Sequence, residues 1–209
     1  MKKLKEQDLV DNLGKFYDLI SKYLPDNKRT SNLINFYKSI EIVLLTSPAS
    51  ARITQTGCYP GGYIESTIKI IESALILDKV WDKLQQTKNY TIEELVFSAA
   101  NCNLGRLGTN DKPFFKPNDN QWEIDKKGEL FKFNPEMTHM RYSDRAIYTL
   151  QNAGINMTEN EFLSIKLKDG AFDESNKVYL IQYSPEFELK SNLPYIIHQA
   201  DLIVNKCNL

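Results

Sequence analysis

Apolar side chains recur at three- and four-residue steps along most of this chain, and that spacing predicts helices rather than strands. Proline and glycine fall between the periodic stretches, where they end helices or allow turns. The predicted helices run over about 9–24, 30–47, 63–86 and 91–104, begin again near 143 and 158, and end with 193–205. The longest of them, over 63–86, is predicted to form the centre of the core. The expected fold class is all-α.

The stretch 110–135 interrupts the helical pattern, because it is polar and aromatic and contains prolines and a glycine. Trp122–Ile124 and Leu130–Phe133 alternate weakly on either side of Asp125–Gly128, which predicts a small irregular excursion or a β-hairpin. No repeat, low-complexity tract or flexible linker divides the chain. We therefore expect a single helical domain over 1–209, with N-terminal helices over 1–45 and a core over 46–209.

Composition excludes several classes of protein. Lysine and arginine together number 26 against 27 aspartates and glutamates, so a generally basic surface for nucleic acid is not expected. No window approaches the ~18 apolar residues of a membrane span, and the N-terminus lacks the apolar run of a signal peptide. The three cysteines are widely spaced and odd in number, which is typical of a reducing cytosol. We expect a cytoplasmic protein without a membrane partner.

The inventory of reactive side chains also limits the chemistry. The chain has two histidines, His139 and His198, and a His-rich zinc or di-iron centre cannot be built from so few imidazoles. None of the phosphate-loop, dinucleotide-binding, paired-cysteine or nucleophile-elbow motifs occurs. The sequence therefore predicts no resident metal and no cofactor.

Four short segments occur in a characteristic order. Pro60–Ser66 reads PGGYIES and opens the central helix, Asn103–Gly108 reads NLGRLG, Ile165–Gly170 reads IKLKDG, and Ile196–Asp201 reads IIHQAD. Over about 45–205, their order and spacing resemble the HD-domain superfamily of metal-dependent phosphohydrolases, and more narrowly the small HD-domain proteins of tailed bacteriophages. The resemblance implies an HD-domain-like helical bundle, and a location in the host cytoplasm if the chain is phage-encoded.

The resemblance also implies where metal ligands stand, and most of those positions carry other residues. The departures are, in chain order, Thr56, Ser66, Cys102, Asn103 and Lys168. The groups that are kept are Asp169, His198 and Asp201. The family pattern is therefore present in its scaffold and broken at most of its ligands.

The substituted residues are poor ligands for a divalent cation. Thr56 and Ser66 bring hydroxyls where the resemblance implies imidazoles, and Asn103 brings an amide where it implies a bridging carboxylate. Cys102 could bind zinc as a thiolate, but one thiolate without imidazoles does not make a site. Lys168 brings a cation where a ligand is implied. We therefore expect no HD-type metal centre and no HD-type hydrolysis, so that the chain is a pseudoenzyme.

Lys168 also suggests what replaces the metal. A carboxylate such as Asp201, left in a pocket without a cation, would have its pKa raised by desolvation. We expect the Lys168 ammonium to pair with Asp201 or Asp169, within about 6 Å. Cys102 is expected to be a small buried side chain rather than a nucleophile, and His198 a hydrogen-bonded core histidine rather than a ligand.

The expected function is therefore binding rather than turnover. The residues expected around a nucleotide or other phosphate-bearing ligand are Thr56, Ser66, Cys102, Asn103, Arg106, Lys168, Asp169, His198 and Asp201. A second option is a protein-interaction module whose partner contacts the aromatic excursion over Phe114–Phe133. The rival class is an active metal-dependent nucleotidase or phosphodiesterase. Its displaced metal site would use Asp201, Asp169, Glu65 or His198, with or without Cys102.

Overall fold

The helical pattern is confirmed by a computed structural model, which describes residues 4–84, 88–109, 112–181 and 183–206. The helices of this part of the chain are α1 (Glu6–Tyr23), α2 (Lys28–Ser39), α3 (Glu41–Thr46), α4 (Gly62–Leu84), α5 (Ile92–Asn101), α6 (Gln121–Lys127), α7 (Tyr142–Asn152), α8 (Glu159–Lys166), α9 (Lys177–Leu180) and α10 (Leu193–Lys206). Two short strands, β1 (Phe115–Pro117) and β2 (Phe131–Phe133), pair antiparallel. The described chain is therefore all-α with a small β excursion, as the sequence predicts.

The long helix α4 lies at the centre of the core. Helices α10 and α5 pack against it, and α8 packs against both of these. Ile64, Ile68 and Ile71 are buried on the core face of α4, where their three- and four-residue spacing places them together. The prediction extends this helix to 86; the structure describes it as far as Leu84, and 85–87 lie outside the described residues.

The N-terminal helices differ from the prediction at two points. Asn27, rather than Thr30 or Ser31, caps α2, and its side-chain oxygen accepts the backbone N–H of Thr30 at 2.9 Å. The predicted helix over 30–47 is divided into α2 and α3 at Ile40, which has φ −114° and ψ 18°. No proline or glycine marks this break, and the apolar spacing continues through it, so the sequence does not indicate it.

Both predicted helix starts at threonine are confirmed. The Thr91 hydroxyl accepts the backbone N–H of Glu94 at 3.1 Å, and the Thr158 hydroxyl accepts that of Glu161 at 3.2 Å. Helix α5 ends at Asn101, earlier than predicted, and a short 3₁₀ turn follows. A Cβ at Gly105 in that turn would lie 2.1 Å from the Tyr142 carbonyl oxygen, so only glycine allows this close approach of the chain to α7.

The excursion contains a hairpin, but its first strand was predicted in the wrong place. Phe115 pairs with Phe133 and Pro117 with Phe131, whereas the predicted strand Trp122–Ile124 lies in α6. Asn120 caps α6, and Gly128 ends it with φ 64°. A glycine with positive φ after lysines is typical of a hairpin turn and of a helix C-terminus alike. The sequence pattern therefore does not distinguish a strand over Trp122–Ile124 from a helix.

Two further observations concern membrane-spanning helices and the cysteines. None of the described helices combines the length and the apolar character needed to cross a membrane. Cys58 and Cys102 are buried free thiols, whereas Cys207 lies outside the described residues.

Candidate functional site

A cleft of about 430 Å³ lies between the segment over 49–56, the turn after α5, the end of α8 and the last turns of α10. Six of the predicted site residues line it: Thr56, Arg106, Lys168, Asp169, His198 and Asp201. They come from distant parts of the sequence and meet because α5, α8 and α10 pack together. The segments NLGRLG and IIHQAD, two of those that carry the family resemblance, therefore face the same cavity.

The Lys168 side chain is fully buried beside two carboxylates. Its Nζ lies 2.7 Å from Asp169 Oδ1 and 3.9 Å from Asp201 Oδ2. The sequence predicts a pair with Asp201 or with Asp169, and the structure shows the lysine within ion-pair distance of both. A buried ammonium needs such partners, because an unpaired charge in the interior is costly.

Asp201 is the most enclosed carboxylate of the cleft, with a side chain that is 10% exposed. Asn103 donates its amide N–H to Asp201 Oδ1 at 2.6 Å. Burial by itself raises the pKa of Asp201, but the charges of Lys168 and Arg106, together with the Asn103 hydrogen bond, hold that pKa below its ordinary value. Asp201 is therefore ionised at neutral pH.

Arg106 forms another wall of the cleft. Its Nη1 donates to the Ala49 carbonyl at 2.8 Å, and its guanidinium carbon lies 5.0 Å from the centre of the Tyr142 ring. Its Nε is buried and has no hydrogen-bond partner among the described residues, and the same holds for Asn103 Oδ1. Buried polar atoms normally have partners, and a bound water is the usual partner for atoms such as these two.

His198 is half-buried and is fixed by the backbone around it. Its Nδ1 lies 2.7 Å from the Lys168 carbonyl oxygen. A carbonyl can only accept, so Nδ1 is the donor in this hydrogen bond. A Cβ at Gly170 would lie 2.5 Å from His198 Cε1, so glycine is required at this position. His198 is hydrogen-bonded, as predicted.

Three predicted site residues do not line the cleft. Cys102 is fully buried, its thiol donates to the Ala99 carbonyl at 3.4 Å, and burial together with the charge of Asp201 raises its pKa. It is thus a small buried side chain, as expected, and not a thiolate. Ser66 is buried in the first turn of α4. Asn103 lies behind Asp201 and acts on the cleft through that carboxylate.

The donor set does not fit a metal of the kind that the resemblance implies. Among the described residues, no three histidine, cysteine, aspartate or glutamate side chains come close enough together to hold a metal ion. The Lys168 ammonium lies against both aspartates, and Asp201 Oδ1 already accepts the Asn103 amide. A divalent cation beside the ammonium would meet like charge and occupied oxygens.

The sequence does not indicate several other residues that line the cleft. They include Ser50, Phe115, Tyr142, Phe172 and Lys206. Tyr142 and Phe115 stand outside the segments that resemble a known family, and aromatic residues of this kind are common in helical cores. Lys206 is the exception, because it lies one turn after Leu202 on the helix that carries Asp201. Helical spacing therefore places it on the same face as Leu202, which also lines the cleft. The others carry no local sequence signal.

No family model, no curated protein and no solved structure matches this chain. The resemblance to the HD-domain superfamily therefore rests on the order of the sequence motifs. The function must be argued from the side chains of the cleft.

Proposed function

We propose that this chain is a catalytically degenerate HD-domain protein that binds a phosphate-bearing ligand, such as a nucleotide, in the cleft without a metal. The observation that carries the proposal is the fully buried Lys168 ammonium against Asp169 and Asp201, in a cleft that Arg106 also lines. In this proposal the lysine replaces the cation that the HD-domain resemblance implies. The protein acts in the cytoplasm, and in the host cytoplasm if the chain is phage-encoded.

The charge of the cleft supports an anionic ligand. Three cationic side chains, Arg106, Lys168 and Lys206, face two carboxylates, Asp169 and Asp201. One positive charge is therefore in excess, and Lys168 neutralises most of the repulsion that the carboxylates would exert on an anion. A phosphate monoester carries roughly −1.5 to −2 charges at neutral pH.

Arg106 is the residue best suited to contact the phosphate. A guanidinium has five donors in a planar fork that matches phosphate oxygens, and the Nη1 of Arg106 is the atom already committed to a carbonyl. Because the ring of Tyr142 lies against the guanidinium, Arg106 would lose little side-chain entropy on binding.

Calorimetric titration of the protein in EDTA, with inorganic phosphate and with nucleoside monophosphates, tests this proposal. We expect saturable binding that Arg106→Met weakens by about tenfold or more, since a charge-assisted hydrogen bond is worth roughly 1.5–3 kcal/mol. Lys116→Met is the matched control, because it removes one positive charge from an exposed pair with Glu136 outside the cleft. Absence of binding to every phosphate compound would contradict the proposal and favour the protein-interaction module.

The rival activity is tested on the same preparation. We expect no stoichiometric manganese, iron or zinc, and no hydrolysis of nucleotides when manganese is added. A stoichiometric metal together with turnover that Asp201→Ala abolishes would overturn the proposal in favour of an active phosphohydrolase.

A further inference from the structure

A second cavity, of about 770 Å³, adjoins the cleft at the β-hairpin. We propose that the phosphate-bearing ligand is a nucleoside phosphate whose base enters this second cavity and stacks on the hairpin. This inference rests on the proposed function, because it assigns the remainder of the ligand whose phosphate lies in the cleft. It would make the excursion a ligand-binding element of the fold.

The pairing of the hairpin places its aromatic rings on one face. Phe115 lies opposite Phe133 and Pro117 opposite Phe131, and residues two apart in a strand point to the same side. Phe115, Phe131 and Phe133 therefore share a face, and all three line the second cavity. The alternate positions carry lysines, and Lys116 forms an ion pair with Glu136.

The rings are held in place by edge-to-face contacts. Phe114 is buried, and its ring centre lies 4.8 Å from that of Phe115 and 5.1 Å from those of Phe133 and Tyr142. The Phe131 N–H also donates to the Ala51 carbonyl at 3.2 Å. This hydrogen bond ties the hairpin to the segment that lines the cleft. The aromatic face is thus an ordered part of the binding region.

The two cavities share a wall. Ala51, Phe115, Tyr142 and Asp169 line both of them. Tyr142 contacts the guanidinium of Arg106 and the aromatic cluster. In the proposed arrangement the phosphate lies at Arg106, and the base lies beyond Tyr142 against the phenylalanines.

The charges around the second cavity favour an uncharged planar ring over a second phosphate. Arg52 forms an ion pair with Glu129 at 2.6 Å, and Arg141 forms one with Asp173 at 2.9 Å. The other charged residues of the walls are paired as well, Glu123 with Lys127, Lys132 with Asp119 and Asp169 with Lys168, which leaves little free charge to bind a second phosphate. Phe133 is 40% exposed, and such a ring face suits stacking by a base.

The test compares three probes in EDTA: inorganic phosphate, ribose 5-phosphate and the nucleoside monophosphates. We expect at least one nucleotide to bind about tenfold or more tightly than ribose 5-phosphate, the gain that stacking of one base provides. Phe133→Leu should remove most of this gain and leave ribose 5-phosphate binding unchanged. Phe187→Leu is the control, since this residue is also exposed but lines neither cavity.

The comparison within the wild-type protein needs no variant, so it is informative even if Phe133→Leu reduces stability. If ribose 5-phosphate and every nucleotide bind equally tightly, or if Phe133→Leu weakens both to the same extent, the inference is overturned while the phosphate site stands. If no phosphate compound binds at all, the proposed function fails and this inference fails with it.

Discussion

Two clusters of charged residues in the described part of the chain differ in how completely their atoms are paired. The first, the Arg29 cluster, consists of Arg29, Glu93 and Glu161. Nη2 of Arg29 lies 2.7 Å from both carboxylate oxygens of Glu161. Its Nη1 donates to Glu93 at 3.0 Å, and its Nε to the Asn156 carbonyl at 2.9 Å. Every nitrogen of this guanidinium has a partner.

The second, the Lys168 cluster, consists of Lys168, Asp169, Asp201, Asn103 and Arg106. Here Arg106 Nε and Asn103 Oδ1 are buried without a partner among the described residues, and the cluster opens onto the cleft. Each such atom costs roughly 1–3 kcal/mol of folding free energy. The Arg29 cluster is thus fully paired and joins α2, α5 and α8, whereas the Lys168 cluster is incompletely paired beside the cleft to which we assign the ligand.

The largest expected effect belongs to the Arg29 cluster. Arg29→Met leaves the fully buried Glu161 carboxylate without its cation, and we expect the free energy of unfolding to fall by about 3–5 kcal/mol. Lys15→Met is the control, because it breaks an exposed pair with Glu72 and should cost at most about 1 kcal/mol. Denaturation in urea measures both. Equal losses in the two variants would show that the Arg29 cluster contributes no more to stability than an exposed ion pair.

Lys168→Met should cost less, about 2–3 kcal/mol, because Asp201 borders a cleft that water can enter. Adding Asp201→Asn removes the unpaired charge, so the double variant should be more stable than the single one. Lys166→Met serves as the control, since Lys166 is two residues away and pairs with the more exposed Asp144. A double variant that loses the sum of the two single losses would show that the ammonium and carboxylate are not coupled.

The pairing of Lys168 with Asp201 or Asp169 could be predicted from the sequence, because Asp169 is the next residue and the resemblance places the motifs around residues 168 and 201 at one site. The Arg29 cluster could not be predicted from the sequence. Arg29 and Glu161 are 132 positions apart; Arg29 lies in no recognisable motif, and the capping motif of Glu161 predicts only a local contact with Thr158. An arginine and a glutamate on helical surfaces are usually solvent-exposed, so only the folded structure reveals the pair.

The helices and their caps were also largely predictable, since periodicity and capping residues are local features. The sequence predicts a hairpin but not which residues pair in it. The register that brings Phe115 opposite Phe133 depends on pairing across a helix of seven residues. Tyr142 belongs to the cleft because Gly105 allows α7 to approach. Contacts of this kind depend on distant parts of the chain, which is why the sequence indicates only six of the sixteen residues that line the cleft.

The two clusters should respond to acid in opposite directions. The pKa of Asp201 lies below its ordinary value of 3.8, so its contribution to stability is present above that value and is lost as the pH falls through the folded-state pKa. Burial raises the pKa of Glu161 above 4.5, although Arg29 opposes this. Protonation of Glu161 therefore favours the folded state, and its contribution grows as the pH falls.

Urea denaturation between pH 7 and about pH 3 tests this contrast. Asp201→Asn should lose less stability on acidification than the wild-type protein, because the aspartate no longer takes up a proton on unfolding. Glu161→Gln should lose more, because the variant lacks the favourable protonation. Parallel pH profiles for the two variants would mean that the clusters are electrostatically alike.

The smallest expected effect tests whether the rim of the Arg29 cluster is purely structural. The Thr158 hydroxyl caps α8 and also donates to Glu94 Oε1 at 2.7 Å. Thr158→Ala should therefore cost about 1 kcal/mol of unfolding free energy, and Thr158→Ser should cost almost nothing, because it keeps the hydroxyl and serine is at least as good an N-cap. Phosphate affinity should not change in either variant, since Thr158 lies outside the cleft. If Thr158→Ala weakened phosphate binding, the two clusters would be coupled through α8, and the division between a structural cluster and a binding cluster would no longer hold.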